Sequence, residues 1–190
     1  MKTEVPLPRR FFERDAITVA REVIGVTLFV HDAGGMIVEA EAYDHMDPAS
    51  HSYGGRRTAR NASMFGPPGH AYVYRSYGIH WCLNFVCGSE PLGGAVLIRA
   101  LQPAAGIELM QQRRGAVSAR QLCCGPGNLT QALGITGELD GKPLSAPPFK
   151  LLAPSSTVEV ISGPRIGITR GLELPWRFGL LNSRFLSKRF

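Results

Sequence analysis

Ala71-Tyr72-Val73-Tyr74-Arg75-Ser76-Tyr77-Gly78-Ile79-His80-Trp81-Cys82-Leu83-Asn84-Phe85-Val86 reads as a β-hairpin. Two runs rich in aromatic and β-branched residues, Ala71–Tyr74 and Ile79–Val86, flank the tip Arg75-Ser76-Tyr77-Gly78, where the glycine marks a turn. Strand side chains alternate between faces, so Asn84 falls on the opposite side from Trp81, Leu83 and Phe85. Tyr77 is harder to place: an aromatic beside a turn glycine does not read as core.

Outward from the hairpin, the pattern stays mostly β. Tyr53–Gly69 is rich in Gly, Arg, Asn, Ser and Pro and reads as a long functional loop. Before it, Val26–Val30 and Met36–Tyr43 read as strands joined by the turn His31-Asp32-Ala33-Gly34-Gly35. Asp15 can cap a helix through about Val23, because Ala16, Val19, Ala20, Val23 and Ile24 recur at helical spacing and Gly25 follows as a C-terminal cap. After the hairpin come a strand at Ala95–Ala100, a helix at Ala105–Arg113, and a second helix at Asn128–Leu133 behind Cys124-Gly125-Pro126-Gly127. Strands near Phe149–Leu152, Val158–Ile161 and Arg177–Leu181 complete a curved, mostly antiparallel sheet flanked by helices. There is no internal repeat, low-complexity tract or linker.

At 190 residues and 44% hydrophobic content, the chain can bury one sizeable core and is expected to be one domain over residues 1–190. Its formal net charge is +6 and its pI about 9.5. Arginine dominates the basic residues, which suits a phosphate-rich partner because the planar guanidinium grips phosphate in bidentate fashion. Charge alone does not separate nucleic acid from a solvated surface. The four cysteines, Cys82, Cys87, Cys123 and Cys124, form no C-x-x-C pair and are expected to be reduced, buried thiols. The start Met1-Lys2-Thr3-Glu4-Val5-Pro6 has no apolar core, and no window approaches the roughly 18 apolar residues of a membrane span. A soluble, cytoplasmic protein with no membrane partner is expected.

Glu39, Glu41 and Tyr43 alternate with Val38, Ala40 and Ala42, and so share one face of a strand. Spacing alone favours the two carboxylates as partners of arginines, though one of them could serve as a general base. Tyr72 and Tyr74 read as half-buried strand residues, and Asn84 as a satisfied polar residue facing solvent. His51 reads as a core histidine; a metal site with His45 and Asp47 lacks an evident set of converging ligands. Arg56, Arg57 and Arg60 in the loop Gly54–Asn61 offer phosphate donors. The turn Gly125-Pro126-Gly127-Asn128 opens a helix whose amides can hold an anion. No Walker loop or dinucleotide fingerprint is present, so no nucleotide cofactor is supported.

VEAEAYDHMDPASHSYGGRRTARNASMFGPPGHAYVYRSYGIHWCLNFV, Val38–Val86, resembles the alkyladenine (3-methyladenine) DNA glycosylase family in its bacterial form, and the likeness extends over most of the chain. The resemblance implies an α+β fold: a single mixed domain with a curved, mostly antiparallel sheet flanked by helices and a protruding β-hairpin, like the formyltransferase C-terminal domain. It reverses the reading of the glutamates and makes Glu41 the catalytic one, a base that activates water and stabilises positive charge on the sugar. Glu39 receives no catalytic role. Arg99, in Val96-Leu97-Ile98-Arg99-Ala100, would help hold that water and the neighbouring phosphate. The Ile166 carbonyl would also hold the water, with Gly167 beside it at the DNA backbone.

Tyr43, His51 and Tyr74 would stack around an extruded base, each face worth roughly 1–3 kcal/mol, and electron-rich rings favour a base made cationic by alkylation. Asn84 would crowd the minor-groove edge of the flipped purine and disfavour the amino group of guanine. Tyr77 would intercalate into the gap left by the flipped nucleotide. Arg56, Arg57, Arg60, Gly125 and Gly127 would meet the DNA backbone.

The implied enzyme is a monofunctional, monomeric DNA-repair glycosylase acting on double-stranded DNA with damaged purines: 3-methyladenine, 7-methylguanine, hypoxanthine or ethenoadenine. It would need no metal or cofactor and no lysine nucleophile. The alternative is a non-catalytic nucleic-acid-binding module of the same fold.

Overall fold

The structure, a computed structural model, describes residues 5–190. Met1–Glu4, most of the stretch read above for a leader, lies outside the described residues. Eight strands form one sheet in which every pairing is antiparallel: β1 (Thr27–Val30), β2 (Ala33–Tyr43), β3 (Ala71–Ser76), β4 (His80–Cys87), β5 (Gly94–Ala105), β6 (Phe149–Leu152), β7 (Val160–Gly163) and β8 (Arg177–Leu180). Their order is β3-β4-β5-β2-β1-β6. β8 also pairs with β2, and β7 with β8. The long strand β2 makes this branching possible. Thr27 of β1 leaves it at Met36, and β8 takes over along the same strand from Glu39 to Glu41, so the sheet curls. The helices are α1 (Ala16–Glu22), α2 (Ile107–Arg114), α3 (Ala119–Leu122) and α4 (Pro126–Leu133). This is an α+β fold with a curled antiparallel sheet, and among the described residues no helix is long and apolar enough to cross a membrane.

A register irregularity in β2 orients the sheet's two faces. Its pairing with β5 shifts between Ile37 and Glu39 and again between Glu39 and Ala40. Before the shift Ile37 points into the main core; after it Ala40 and Ala42 do, with Val73, Leu83, Phe85, Val96 and Ile98 from β3, β4 and β5. An extra residue reverses the phase of a strand. Unbroken alternation would put Glu39 and Glu41 on the same side as Ile37. Instead they share the other face with Tyr43, opposite the core where α1 and α4 pack.

Several elements differ from expectation. The β1–β2 connection is the two residues His31-Asp32, because Val30 already pairs with Ala33, and His31 takes a positive φ of 52°. Gly34 and Gly35 are strand residues at close approaches: a Cβ would lie 2.4 Å from Leu28 O at the first and 2.2 Å from Gln102 O at the second. Within Tyr53–Gly69 the chain forms a 3-10 helix at Ala59–Phe65, capped by Thr58 and Asn61 and burying Asn61, Met64 and Phe65. α4 begins at Pro126, at the first helical position where a missing N–H costs nothing. α2 starts two residues late, β7 lies two residues beyond Val158–Ile161, and α3 has no counterpart in the sequence reading.

Candidate active site

Glu41 is fully buried and accepts three hydrogen bonds. The Ile166 amide donates to Oε1 at 2.8 Å, the Tyr43 hydroxyl to Oε2 at 2.9 Å, and Arg99 Nη1 to Oε2 at 3.3 Å. Burial, and then the adjacent Glu41 charge, push the Tyr43 phenol well above its ordinary value, so it stays protonated as a donor. Glu39, two residues back on the same face and also fully buried, accepts from the Ser187 amide and, at 2.9 Å, from the Ser187 hydroxyl. Arg99 Nε and Arg177 Nε each lie 3.4 Å from Glu39 Oε1. Two carboxylates and two guanidiniums thus form a buried cluster without formal net charge. Such a set avoids the several-kilocalorie penalty of a lone buried ion.

Tyr43, Arg99 and Ile166 line a cavity of about 720 Å³, with His51, Tyr74 and Asn84 also in its wall. This is within the usual range for sites that enclose a small ligand. Glu41 is not a wall residue; its three donors are, so its carboxylate lies directly behind them. The Tyr74 ring meets His51 edge-on at 4.7 Å, and Tyr72 and Tyr74 lie 5.3 Å apart with a 31° tilt. His51 Nδ1 is 2.8 Å from the Tyr72 hydroxyl. Burial, and secondly the Arg60 cation, hold the His51 pKa below its ordinary value, so the imidazole is neutral at neutral pH. Asn84 is buried rather than solvent-facing, and its Nδ2 donates to Tyr72 O at 3.1 Å and Cys82 O at 3.4 Å.

At the mouth, the β3–β4 turn leaves Tyr77 89% exposed. Ser76 pairs with His80, so the connection is only Tyr77-Gly78-Ile79, shorter than the sequence reading. Tyr77 and Gly78 take φ of 50° and 68°, as a type I′ turn demands, and the Ile79 amide donates to Ser76 O at 3.0 Å. Arg60 lies over the Tyr74 ring at 5.0 Å and donates to Arg75 O at 3.1 Å; it and Gly167 join the cavity wall. Arg56 and Arg57 are exposed outside the wall, Arg57 resting on Phe65 at 4.5 Å. Gly125 precedes α4, and Gly127 lies beneath His80, whose ring would be 2.8 Å from an added Cβ. Pro126 between them reaches the cavity.

The methylpurine-DNA glycosylase family model matches residues 10–184. A protein of Rhodopseudomonas palustris strain HaA2 is 60% identical over 185 residues, covering 97% of this chain and 92% of its own length. One of Agrobacterium fabrum is 56% identical over 184 residues, covering 97% and 93%. One of Nitrosospira multiformis is 56% identical over 179 residues, covering 94% and 92%. All three bear the provisional name 3-methyladenine DNA glycosylase. The chain belongs to the methylpurine-DNA glycosylase family. It is accordingly a DNA-repair glycosylase, a hydrolase of N-glycosyl bonds whose substrate is DNA.

Within this glycosylase, sequence reasoning gave no site role to Tyr72, Arg165 or Cys82. Tyr72 is almost wholly buried and fixes His51 through its hydroxyl. Arg165 forms a bidentate ion pair with Asp47, donates to Ala42 O at 2.9 Å, and lies 4.8 Å from the Tyr43 ring centroid and 5.3 Å from that of Trp176. Despite burial, the Asp47 carboxylate holds its guanidinium pKa above the ordinary value. Cys82, two residues before Asn84 on the same strand face, also lines the cavity, and the alternation that placed Asn84 could have found it. All four cysteines are free; Cys82, Cys87 and Cys123 are buried and Cys124 half-buried. His45 pairs with Asp44 at 3.0 Å, and among the described residues no three His, Cys, Asp or Glu side chains converge as a metal-binding group.

Proposed function

We propose that the glycosylase flips an alkylated or deaminated purine into the cavity and hydrolyses its N-glycosidic bond with water activated by Glu41. The observation that carries this reading is the Glu41 carboxylate, fixed by donors from three separate segments immediately behind an aromatic wall. Cleavage of the bond needs a base to take a proton from water and an anion to face the sugar as it gains oxocarbenium character. Glu41 supplies both, with Arg99 and the Ile166 segment holding the water and the phosphate beside it. Because the carboxylate has no exposed surface, water reaches it when one donor yields. The Arg99 contact, at 3.3 Å, is the longest of the three.

Tyr43, His51 and Tyr74 stack on the flipped base, Asn84 crowds guanine's amino group, and Tyr77 fills the vacated stack. Arg56, Arg57, Arg60, Gly125, Gly127 and Gly167 follow the phosphates. The protein works as a monomer on double-stranded DNA, and its products are a free base and an abasic site. A single-turnover panel of 3-methyladenine, 7-methylguanine, hypoxanthine and ethenoadenine in otherwise identical duplexes tests the reading. Base release without strand cleavage is expected; release of none of the four refutes it.

A further inference from the structure

Arg99 stands between two carboxylates on unequal terms: Nη1 donates to Glu41 Oε2 at 3.3 Å, whereas Nε lies 3.4 Å from Glu39 Oε1 in an ion pair without a hydrogen bond. Glu39 reaches neither the cavity wall nor solvent, yet it has the most elaborate set of partners in the cluster. Its Oε1 is shared by Arg99, Arg177 and the Ser187 hydroxyl, and its Oε2 takes the Ser187 amide. Segment 183–190 is itself tied down by the same cluster. Arg177 Nη2 donates to Lys188 O at 3.1 Å and Arg189 O at 3.0 Å. The Phe190 ring lies 3.8 Å from the Arg177 guanidinium and covers Gly179, where an added Cβ would come within 2.5 Å of it.

We propose that Glu39 and Ser187 are a positioning pair for the reaction: Glu39 shares Arg99 with Glu41, and the Ser187 hydroxyl sets how strongly Glu39 draws Arg99 away. This rests on the reading of Glu41 as the base. Ser187 Oγ competes with Arg99 Nε for one oxygen. When that hydroxyl is present, Glu39 needs Arg99 less and the guanidinium leans toward Glu41. Without it, Glu39 holds Arg99 more tightly and Glu41 loses part of its cation. Neutralising Glu39 does the reverse and commits Arg99 to Glu41, which both lowers the basicity of Glu41 and closes the contact that must yield to water. The other groups facing the pair are Arg177 from β8, Arg165 from the β7–β8 segment, the Tyr43 hydroxyl and the Cys124 thiol. Ser187→Ala leaves each of these side chains and its partner in place, whereas Glu39→Gln also removes the charge that faces Arg177 and Cys124.

The test is the single-turnover excision rate at saturating enzyme on a hypoxanthine duplex, followed from pH 5 to 8 for wild type, Ser187→Ala, Ser187→Thr, Glu39→Gln and Glu41→Gln. Affinity for a duplex carrying an uncleavable abasic analogue is measured in parallel. Glu39→Gln is expected to lower the rate about tenfold, the scale of one hydrogen bond to a charged group. The acidic limb of the profile should move down in Glu39→Gln and up in Ser187→Ala, by about half a unit or more. Ser187→Thr should restore the wild-type limb, and affinity should stay within about twofold throughout. A purely structural role would not shift the limb in opposite directions. If Glu39→Gln does not fold, the upward shift in Ser187→Ala and its rescue by threonine decide the matter. Unmoved limbs, or shifts of one sign, overturn the positioning pair while Glu41→Gln remains inactive. An active Glu41→Gln instead overturns the reading beneath it.

Discussion

Glu41→Gln should abolish excision while leaving the fold and DNA binding in place, and the local geometry sets both magnitudes. Glutamine keeps the shape and one acceptor but turns the other oxygen into a donor. If its nitrogen replaces Oε2, the Tyr43 hydroxyl can reverse and accept, but Arg99 Nη1 then faces a second donor. If it replaces Oε1, the Ile166 amide loses its acceptor. Either orientation leaves one donor unsatisfied, a cost of about 1–3 kcal/mol. For a chain of this size that lowers Tm by roughly 2–12 °C, well short of the total stability of an ordinary domain. The same order of free energy acts directly on the barrier in the chemical step, because a positioned general base is worth on the order of 100-fold or more in rate. Single-turnover excision at saturating enzyme, fluorescence anisotropy on the same lesion duplex and a thermal melt together separate the two effects. Near-normal turnover by folded enzyme would refute the assignment of the base.

Tyr77→Ala should weaken flipping, read with a fluorescent base analogue in duplex, yet move Tm by no more than about 2 °C, since the side chain is 89% exposed; unchanged flipping with a collapsed Tm would make Tyr77 a structural residue. Affinity for lesion duplex should fall linearly in log K against log salt, with Arg56→Ala reducing the slope by about 1 and with activity surviving EDTA; a flat salt response or zinc-restored activity would contradict this. Asn84→Ala and Asn84→Ser should raise release of 7-methylguanine relative to hypoxanthine by an amount worth about 1–3 kcal/mol, and an unaltered ratio in active variants removes Asn84 from selectivity. His51, held neutral by burial, contributes stability that is complete above its ordinary value of 6.5 and is lost as pH falls through its depressed folded value. Tm should therefore drop between neutral and mildly acidic pH more steeply in wild type than in His51→Gln, and parallel curves would exclude this contribution.

What could be read in the sequence was whatever repeats locally. Alternation in 71–86 placed Asn84 opposite Leu83 and Phe85, and alternation in 39–43 put Glu39, Glu41 and Tyr43 together. Which of the sheet's faces that was could not be read, because Ile37 and Val38 are both apolar and accept either phase of β2. Only pairing with β5 forces the shift that turns the glutamates from the core. Gly34 and Gly35 misled for a related reason. A glycine signals either a turn or a close backbone approach, and what approaches Gly35 is Gln102, far along the chain. Arg177 and Ser187 meet Glu39 from more than 130 positions away, and a serine near a basic run carries no pattern.

The same distant contacts change how the aromatic wall should be understood. Electron-rich rings attract a cationic base, but an arginine lies over each of two of them: Arg165 over Tyr43 at 4.8 Å and Arg60 over Tyr74 at 5.0 Å. A ring whose quadrupole already faces one cation gains less from a second, and two cations across one ring repel. Arg165 is partly neutralised by Asp47 and buried with it, so its effect on Tyr43 is damped; Arg60 donates to the Arg75 carbonyl, has no carboxylate partner among the described residues, and stays exposed. On the proposed roles, these rings therefore contribute dispersion and area more than charge recognition, which a neutral purine such as hypoxanthine exploits as well as an alkylated cation does. On the same proposed roles, preference for a methylated base would arise after binding, because its glycosidic bond is weaker and its departure needs no further proton. Discrimination at the bond, with permissive stacking in the wall, fits a cavity lined by Tyr43, His51 and Tyr74 in which the steric objection is the one proposed for Asn84.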